Sequence, residues 1–114
     1  MRSEEMFFSY RMLNPDVSDY SQCLFPHSLV EGMLDEGAGR VAVCQEVFER
    51  MGENTPVPGE IQALEDGEGR CLCLVRVEHI AIVPGRNVDP DIICVPGRAD
   101  DRLFCIIDFE VVFR

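Results

Sequence analysis

The 114-residue sequence contains no lysine; its ten basic residues are all arginine. That excludes a Schiff-base lysine, a P-loop lysine and a lysine general base. The sequence also lacks any basic cluster, because the arginines are scattered from Arg2 to Arg114. The footprint of a duplex-binding protein is therefore missing, and duplex DNA is not an expected partner. With a formal net charge of -11, repulsion from phosphate works against generic nucleic-acid affinity. An acidic shell serves solubility, or presents itself to a basic protein partner. No apolar run reaches the ~20 residues of a membrane span. The opening "MRSEEMFFSYR" sets two glutamates before a short apolar patch, which is not the order of a secretory signal. A cytoplasmic protein with no membrane partner is expected. There is no internal repeat, no low-complexity segment and no CxxC pair, and His27 and His79 are the only histidines. Neither a metal site nor a cofactor is expected from those residues.

What is present is a normal globular composition, 46% hydrophobic, in a chain long enough for one domain, 1–114. Six cysteines stand at positions 23, 44, 71, 73, 94 and 105. Most lie in apolar strand-like runs ("RVAVCQ", "RCLCLV", "DIICV", "LFCIID"), where free cysteine packs as a small hydrophobe. Cys71 and Cys73, two apart in a strand, are expected to share a face.

The aromatic-rich "MFFSYRM" (6–12) reads as a first strand. A long loop, 13–26, follows with Pro15 and Pro26; its length suits a lid or an insertion. Ser28 opens a helix, with Glu31 completing a capping box. Leu29, Val30, Met33 and Leu34 form its apolar stripe, and Gly37 suits the left-handed position that stops it. "GRVAVCQEVF" becomes strand-like at Arg40, and "ERMGENTPVPG" is a connection. "EIQAL" is a short strand and "EDGEG" a tight turn. In the long strand "RCLCLVRVEHIAIV", alternation puts Cys71, Cys73, Val75, Val77 and His79 on one face. Leu72, Leu74, Arg76, Glu78 and Ile80 fall on the other. One turn of helix is expected after Asp89. The closing strand "RLFCIIDFEVVF" carries Leu103, Cys105, Ile107, Phe109, Val111 and Phe113 on one face, and Asp108 and Glu110 on a wetter one. About five strands and one main helix fit a small α+β protein with a curled sheet or barrel.

Three pieces in this order, "GAGRVAVCQE", "PVPGEIQALEDGEGRCLCLVRVEHIAIVPGRNV" and "LFCIIDFEVVFR", resemble an ASCH domain of the PUA-like superfamily. The resemblance covers roughly Leu29 to Arg114. It includes the turn Pro56-Val57-Pro58-Gly59-Glu60, with Glu where the family has Asp, and the hairpin Asp66-Gly67-Glu68-Gly69. It implies either RNA binding or, in some members, removal of the acetyl group of N4-acetylcytidine by a Lys, Thr and Glu constellation. Ribonuclease activity is also attributed to some members. The family signature is Gly-x-Lys-x-x-Thr. Gly37 matches its glycine, the lysine position falls on Gly39 and the threonine position on Ala42. The glutamate position falls near Pro96, ahead of Gly97. All three catalytic roles are unfilled, since Gly39 has no amine and Ala42 no hydroxyl.

The resemblance therefore implies a non-catalytic module for a nucleoside or short single-stranded RNA. Its cleft would lie around Gly37, Gly39, Arg40, Ala42 and Cys44 and the 86–98 loop with Arg98. Arg40 could present its guanidinium to a phosphate or carboxylate. Phe8, Tyr10 and Tyr20 are the stacking candidates, with core or lid packing as the simpler role. Other readings stay open. An amidohydrolase could use Cys44, His79 or a carboxylate in a rewired site. Glu78 and His79, neighbours in a strand, are expected on opposite faces and so form no dyad. His79 reads as partly buried and His27 as a surface turn residue. The charge favours an acidic interaction protein or nucleic-acid mimic. "MLDEGAG" also has a faint likeness to the central helix of hotdog acyl-CoA thioesterases, though Gly37 and Gly39 would interrupt that helix.

Overall fold

A computed structural model describes residues 2–24, 27–52, 55–66, 68–93 and 101–114, without the side chains of 22–24, 27–30 and 51. The architecture is α+β. The elements run α1 (Ser3–Leu13), β1 (Ser21–Leu24), α2 (His27–Glu36), β2 (Ala38–Cys44), α3 (Gln45–Met51), β3 (Ile61–Glu65), β4 (Cys71–Pro84) and β5 (Leu103–Phe113). Two 3-10 turns, Gly85–Asn87 and Pro90–Ile92, separate β4 from β5. Asp89 caps the second by accepting the Asp91 N–H at 3.0 Å, as the expected turn after Asp89 requires. The sheet order is β1-β3-β4-β5-β2. β3, β4, β5 and β2 pair antiparallel; the short β1 adds to β3 as a parallel edge. No helix is long and apolar enough to cross a membrane among the described residues.

Four of the five expected strands form. The exception is 6–12, which is helical. Ser3, Met6, Phe7 and Tyr10 are its buried residues, spaced i, i+3, i+4 and i+7, and Glu4 and Glu5 favour the first turn of a helix. Aromatic content suggested a strand, but the period of burial is that of a helix. The expected single helix becomes three. After Cys44 the chain turns into α3 rather than continuing as a strand, and Gly52 ends that helix at φ 68°. The loop 13–26 contributes β1. Helix α2 begins at His27, one residue before the expected start. Its Ser28 capping box, with Leu29 and Val30 of its stripe, lies on side chains outside the description. Its other end is as expected: Gly37 has φ 75° and donates its N–H to the Met33 carbonyl at 2.8 Å.

The sheet is covered on both faces. On one, Met33 of α2 packs against Val41, Leu64, Cys73, Val75, Val77, Cys105, Ile107 and Phe109, with Phe48 of α3 beside them. On the other, α1 places Met6, Phe7 and Tyr10 on Ile61, Ala63, Cys71 and Leu74. Farther along that face the 3-10 turns lay Val88 and Ile92 over Ala42 and Phe104. Strict alternation fails in β4, whose pairing register shifts opposite Leu64/Glu65, between Leu74 and Val75, and between Val77 and His79. Each bulge flips the side chains beyond it. Cys71 and Cys73 therefore enter clusters on opposite faces instead of sharing one. In β5, Phe113 packs with the α1 cluster and Leu103 is exposed, so neither joins Cys105, Ile107 and Phe109.

Candidate functional site

Strand β2 pairs with β5 in unbroken register from Ala38↔Glu110 to Cys44↔Phe104. Its alternation is therefore regular, and positions 39 and 42 project to opposite faces. Gly39 faces α2. A Cβ built there would overlap Met33, lying 2.6 Å from Cε and 3.0 Å from Sδ, and running into Cγ. Met33 is only 2% exposed, so its side chain has little room to yield. Ala42 faces the 3-10 turns, fully buried with Val88 and Phe104 and bridged to Ile93. The two positions where the family resemblance expects lysine and threonine are filled by packing on separate faces.

Arg40 shares a face with Ala42. Its direct cross-strand partner is Asp108, which it meets bidentately: Nε to Oδ1 at 2.5 Å and Nη2 to Oδ2 at 3.2 Å. That hydrogen bond and charge hold the Arg40 proton more firmly. On the other side of Asp108 stands His79 of β4, with Nδ1 3.9 Å from Oδ2. The bulge at Glu78 brings His79 opposite Asp108 and leaves both Glu78 and His79 exposed, contrary to the simple alternation. His79 is 70% exposed rather than partly buried. Arg76 continues the series, with Nε 2.7 Å from Glu78 and Nη2 2.8 Å from Glu110. Hydrogen bonding from Arg76 lowers the Glu78 pKa.

The even-numbered residues of β5 trace this face from end to end. Phe104 and Ile106 lie beneath the 3-10 turns, Asp108 and Glu110 are in the middle, and Val112 lies beside the α1 cluster. The result is a charged band (Arg40, Asp108, His79, Arg76 and Glu110) between two apolar caps. Hydrogen-bond donors and acceptors are both available on it. Of the expected cleft residues, Arg40 belongs to this band. Ala42 lies under the neighbouring cap with Cys44 against it, and Gly37 and Gly39 serve the helix end and the opposite face. Arg98 lies outside the described residues, as do Pro96, Gly97, Gly67 and Cys94.

Residue-by-residue reading missed Asp108 and Arg76 as partners in the site. Their signal was the charge in alternate positions of two apolar strands, Arg76 and Glu78 in one and Asp108 and Glu110 in the other.

The other candidates are dispersed. Cys44 is half-buried at the junction of β2 and α3, and Cys71, Cys73 and Cys105 are buried; all four are free thiols. Burial pushes the Cys73 thiol up to about 11 and also raises Cys71 and Cys105. Tyr10 is edge-on to Phe113 at 5.9 Å and Tyr20 lies 4.5 Å from Phe7, so both pack. Phe8 is 66% exposed on α1. Residues 16–21, with Gly59, Glu60 and Ile61, line a shallow concavity of about 310 Å³ at the β1 edge. The Pro58-Gly59 turn is anchored on β4: Gly59 (φ 93°) donates its N–H to the Val77 carbonyl at 2.7 Å. In the hairpin, Asp66 accepts the backbone N–H groups of Glu68 (2.8 Å) and Arg70 (3.0 Å) and the Arg70 Nε (2.8 Å). Those bonds, the Arg70 N–H foremost, depress the Asp66 pKa.

No protein-family model and no curated protein matches the sequence. Solved structures do match. An ASCH domain from Lactobacillus crispatus JV V101 superposes with a TM-score of 0.78 at 14% identity, over 99% of this chain and 95% of that one. Protein EF3133 from Enterococcus faecalis V583, a DUF984 protein, gives 0.75 at 15% identity, over 96% and 87%. The chain has an ASCH-like fold.

Proposed function

We propose that this ASCH-like chain is a non-catalytic binding module for a nucleoside or a short single-stranded RNA, held on the charged band between α1 and the 3-10 turns. The observation that carries the reading is the likeness to an ASCH domain over 99% of the chain. The geometry of β2 supports the non-catalytic part. A lysine at 39 and a threonine at 42 would sit on opposite faces of a regular strand, and both sites are taken up by packing. The band supplies what base recognition uses: guanidinium and imidazole N–H groups beside carboxylate oxygens.

The test is calorimetric titration with cytidine and N4-acetylcytidine, with acetate release followed in the same samples. Saturable heat without acetate is expected, and Arg40→Ala should weaken binding at least ~10-fold, the scale of one hydrogen bond to a charged group. Release of acetate by the wild-type chain would overturn the non-catalytic reading. Absence of binding to both nucleosides and to a short oligonucleotide would overturn the ligand class. The charge of -11 favours a second reading, a docking surface for a basic protein. It predicts salt-sensitive capture of such a partner with no nucleoside response.

A further inference from the structure

A phosphate receptor needs a guanidinium fork with free donors and a surplus of positive charge around it. The band offers only part of the first and none of the second. Asp108 already occupies Nε and Nη2 of Arg40, and Glu78 and Glu110 hold Arg76. Two guanidinium groups face three carboxylates, within a chain whose net charge is -11. Asp108 is the pivotal member, lying directly opposite Arg40 on one side and His79 on the other. An anion approaching Arg40 must come within a few ångströms of that carboxylate, well inside the ~8 Å screening length of physiological salt. An uncharged ligand meets no such opposition. Among the described residues, the remaining Arg40 donors, the His79 ring and the outer side of Asp108 face solvent and are open to it.

We infer that Asp108 is a specificity residue. By filling the Arg40 fork, it makes the band a receptor for an uncharged nucleoside and turns away the phosphate of a nucleotide. The ligand named here rests on the nucleoside half of the proposed function and sets its RNA half aside; the blocking of Arg40 by Asp108 rests on neither.

Two measurements separate these parts. The first titrates inorganic phosphate into 15N-labelled protein and follows the Arg40 Nε–H resonance. The wild type should not respond and Asp108→Asn should show a saturable shift; calorimetric titration with phosphate should give heat for Asp108→Asn and none for Asp108→Asn combined with Arg40→Ala. Glu110→Gln removes the same charge but leaves the Arg40 pair intact, so its Arg40 resonance should stay still. A wild-type response equal to that of Asp108→Asn, no gain in that variant, or an equal gain in Glu110→Gln would each overturn the inference. The second compares cytidine with cytidine 5′-monophosphate. The wild type should prefer cytidine about 10-fold, the size of one unfavourable charge contact, and Asp108→Asn should erase the preference. Equal wild-type affinities would overturn it. If neither compound binds, the nucleoside reading falls and the phosphate titration still decides the role of Asp108.

Discussion

The two faces of strand β2 are made from adjacent residues and are different environments. Toward α2, Gly39 and Val41 meet Met33 and the main core, and even a methyl group at 39 has no room. Toward the other face, Ala42 is buried but Arg40 stands in water, 60% exposed, joined to the fold through Asp108. A likeness in sequence motif reads these positions as one stretch. The strand divides them by a half-turn of the backbone. One face is a stability surface, and the other opens to solvent at Arg40.

The difference between the two faces is largest at Met33. Met33→Ala should cost about 2–5 kcal/mol by cavity formation, read from the denaturant midpoint. Next is Gly39→Ala, expected to cost about 1–3 kcal/mol by overpacking. In the Met33→Ala background that cost should shrink or vanish, because the atoms the new methyl would strike are gone; full additivity would show that Met33 is not the obstacle. On the opposite face, Arg40→Ala should leave the denaturation midpoint unchanged within error while reducing nucleoside binding. A large stability loss there would erase the distinction between the faces.

Thiol chemistry sharpens the contrast between interior and surface. Peptide-mapped labelling of the native protein should modify Cys44 before Cys73 or Cys105. A thiol pushed to about 11 carries roughly a hundredfold less thiolate at pH 8 than one at its ordinary 9.0, before access is considered.

The smallest effect is acid sensitivity. The folded-state pKa values of Asp66 and Glu78 lie below their ordinary 3.8 and 4.5. Their stabilisation is present above those ordinary values and is lost as pH falls through the depressed ones. Asp66→Asn should lower stability at pH 7, where the charged carboxylate's bonds to Glu68 and Arg70 act in full, and should flatten the profile below about pH 4, where the wild type loses them too.

The parts of the fold legible in the sequence are those that obey a single period. Strand β3 and the middle of β5, 104–112, alternate, α2 carries a helical stripe, and Gly37 supplies the conformation its end requires. Helix α1 was legible in principle, because Met6, Phe7 and Tyr10 mark a helical face; β-favouring aromatics masked it. Helix α3 was hidden because "QEVFERM" continues an apolar strand without a break, and only Gly52 marks its end. The bulges of β4 leave no local trace, and they decide which face Cys71 and His79 occupy. For the site, Arg40 was visible as a candidate cation. Its partner was not, since Asp108 is 68 residues away in the chain and reaches Arg40 only through strand register. Gly39 looked empty, yet Met33, six positions earlier, fills the space.

That last contact orders the changes this chain can accept. Residue 39 grows only at the cost of displacing Met33, so the easier path toward a longer side chain at 39 first passes through a smaller one at 33. The intermediate on that path carries the cavity of the first step without the benefit of the second. The pair acts as a ratchet: the glycine is easily kept and hard to leave.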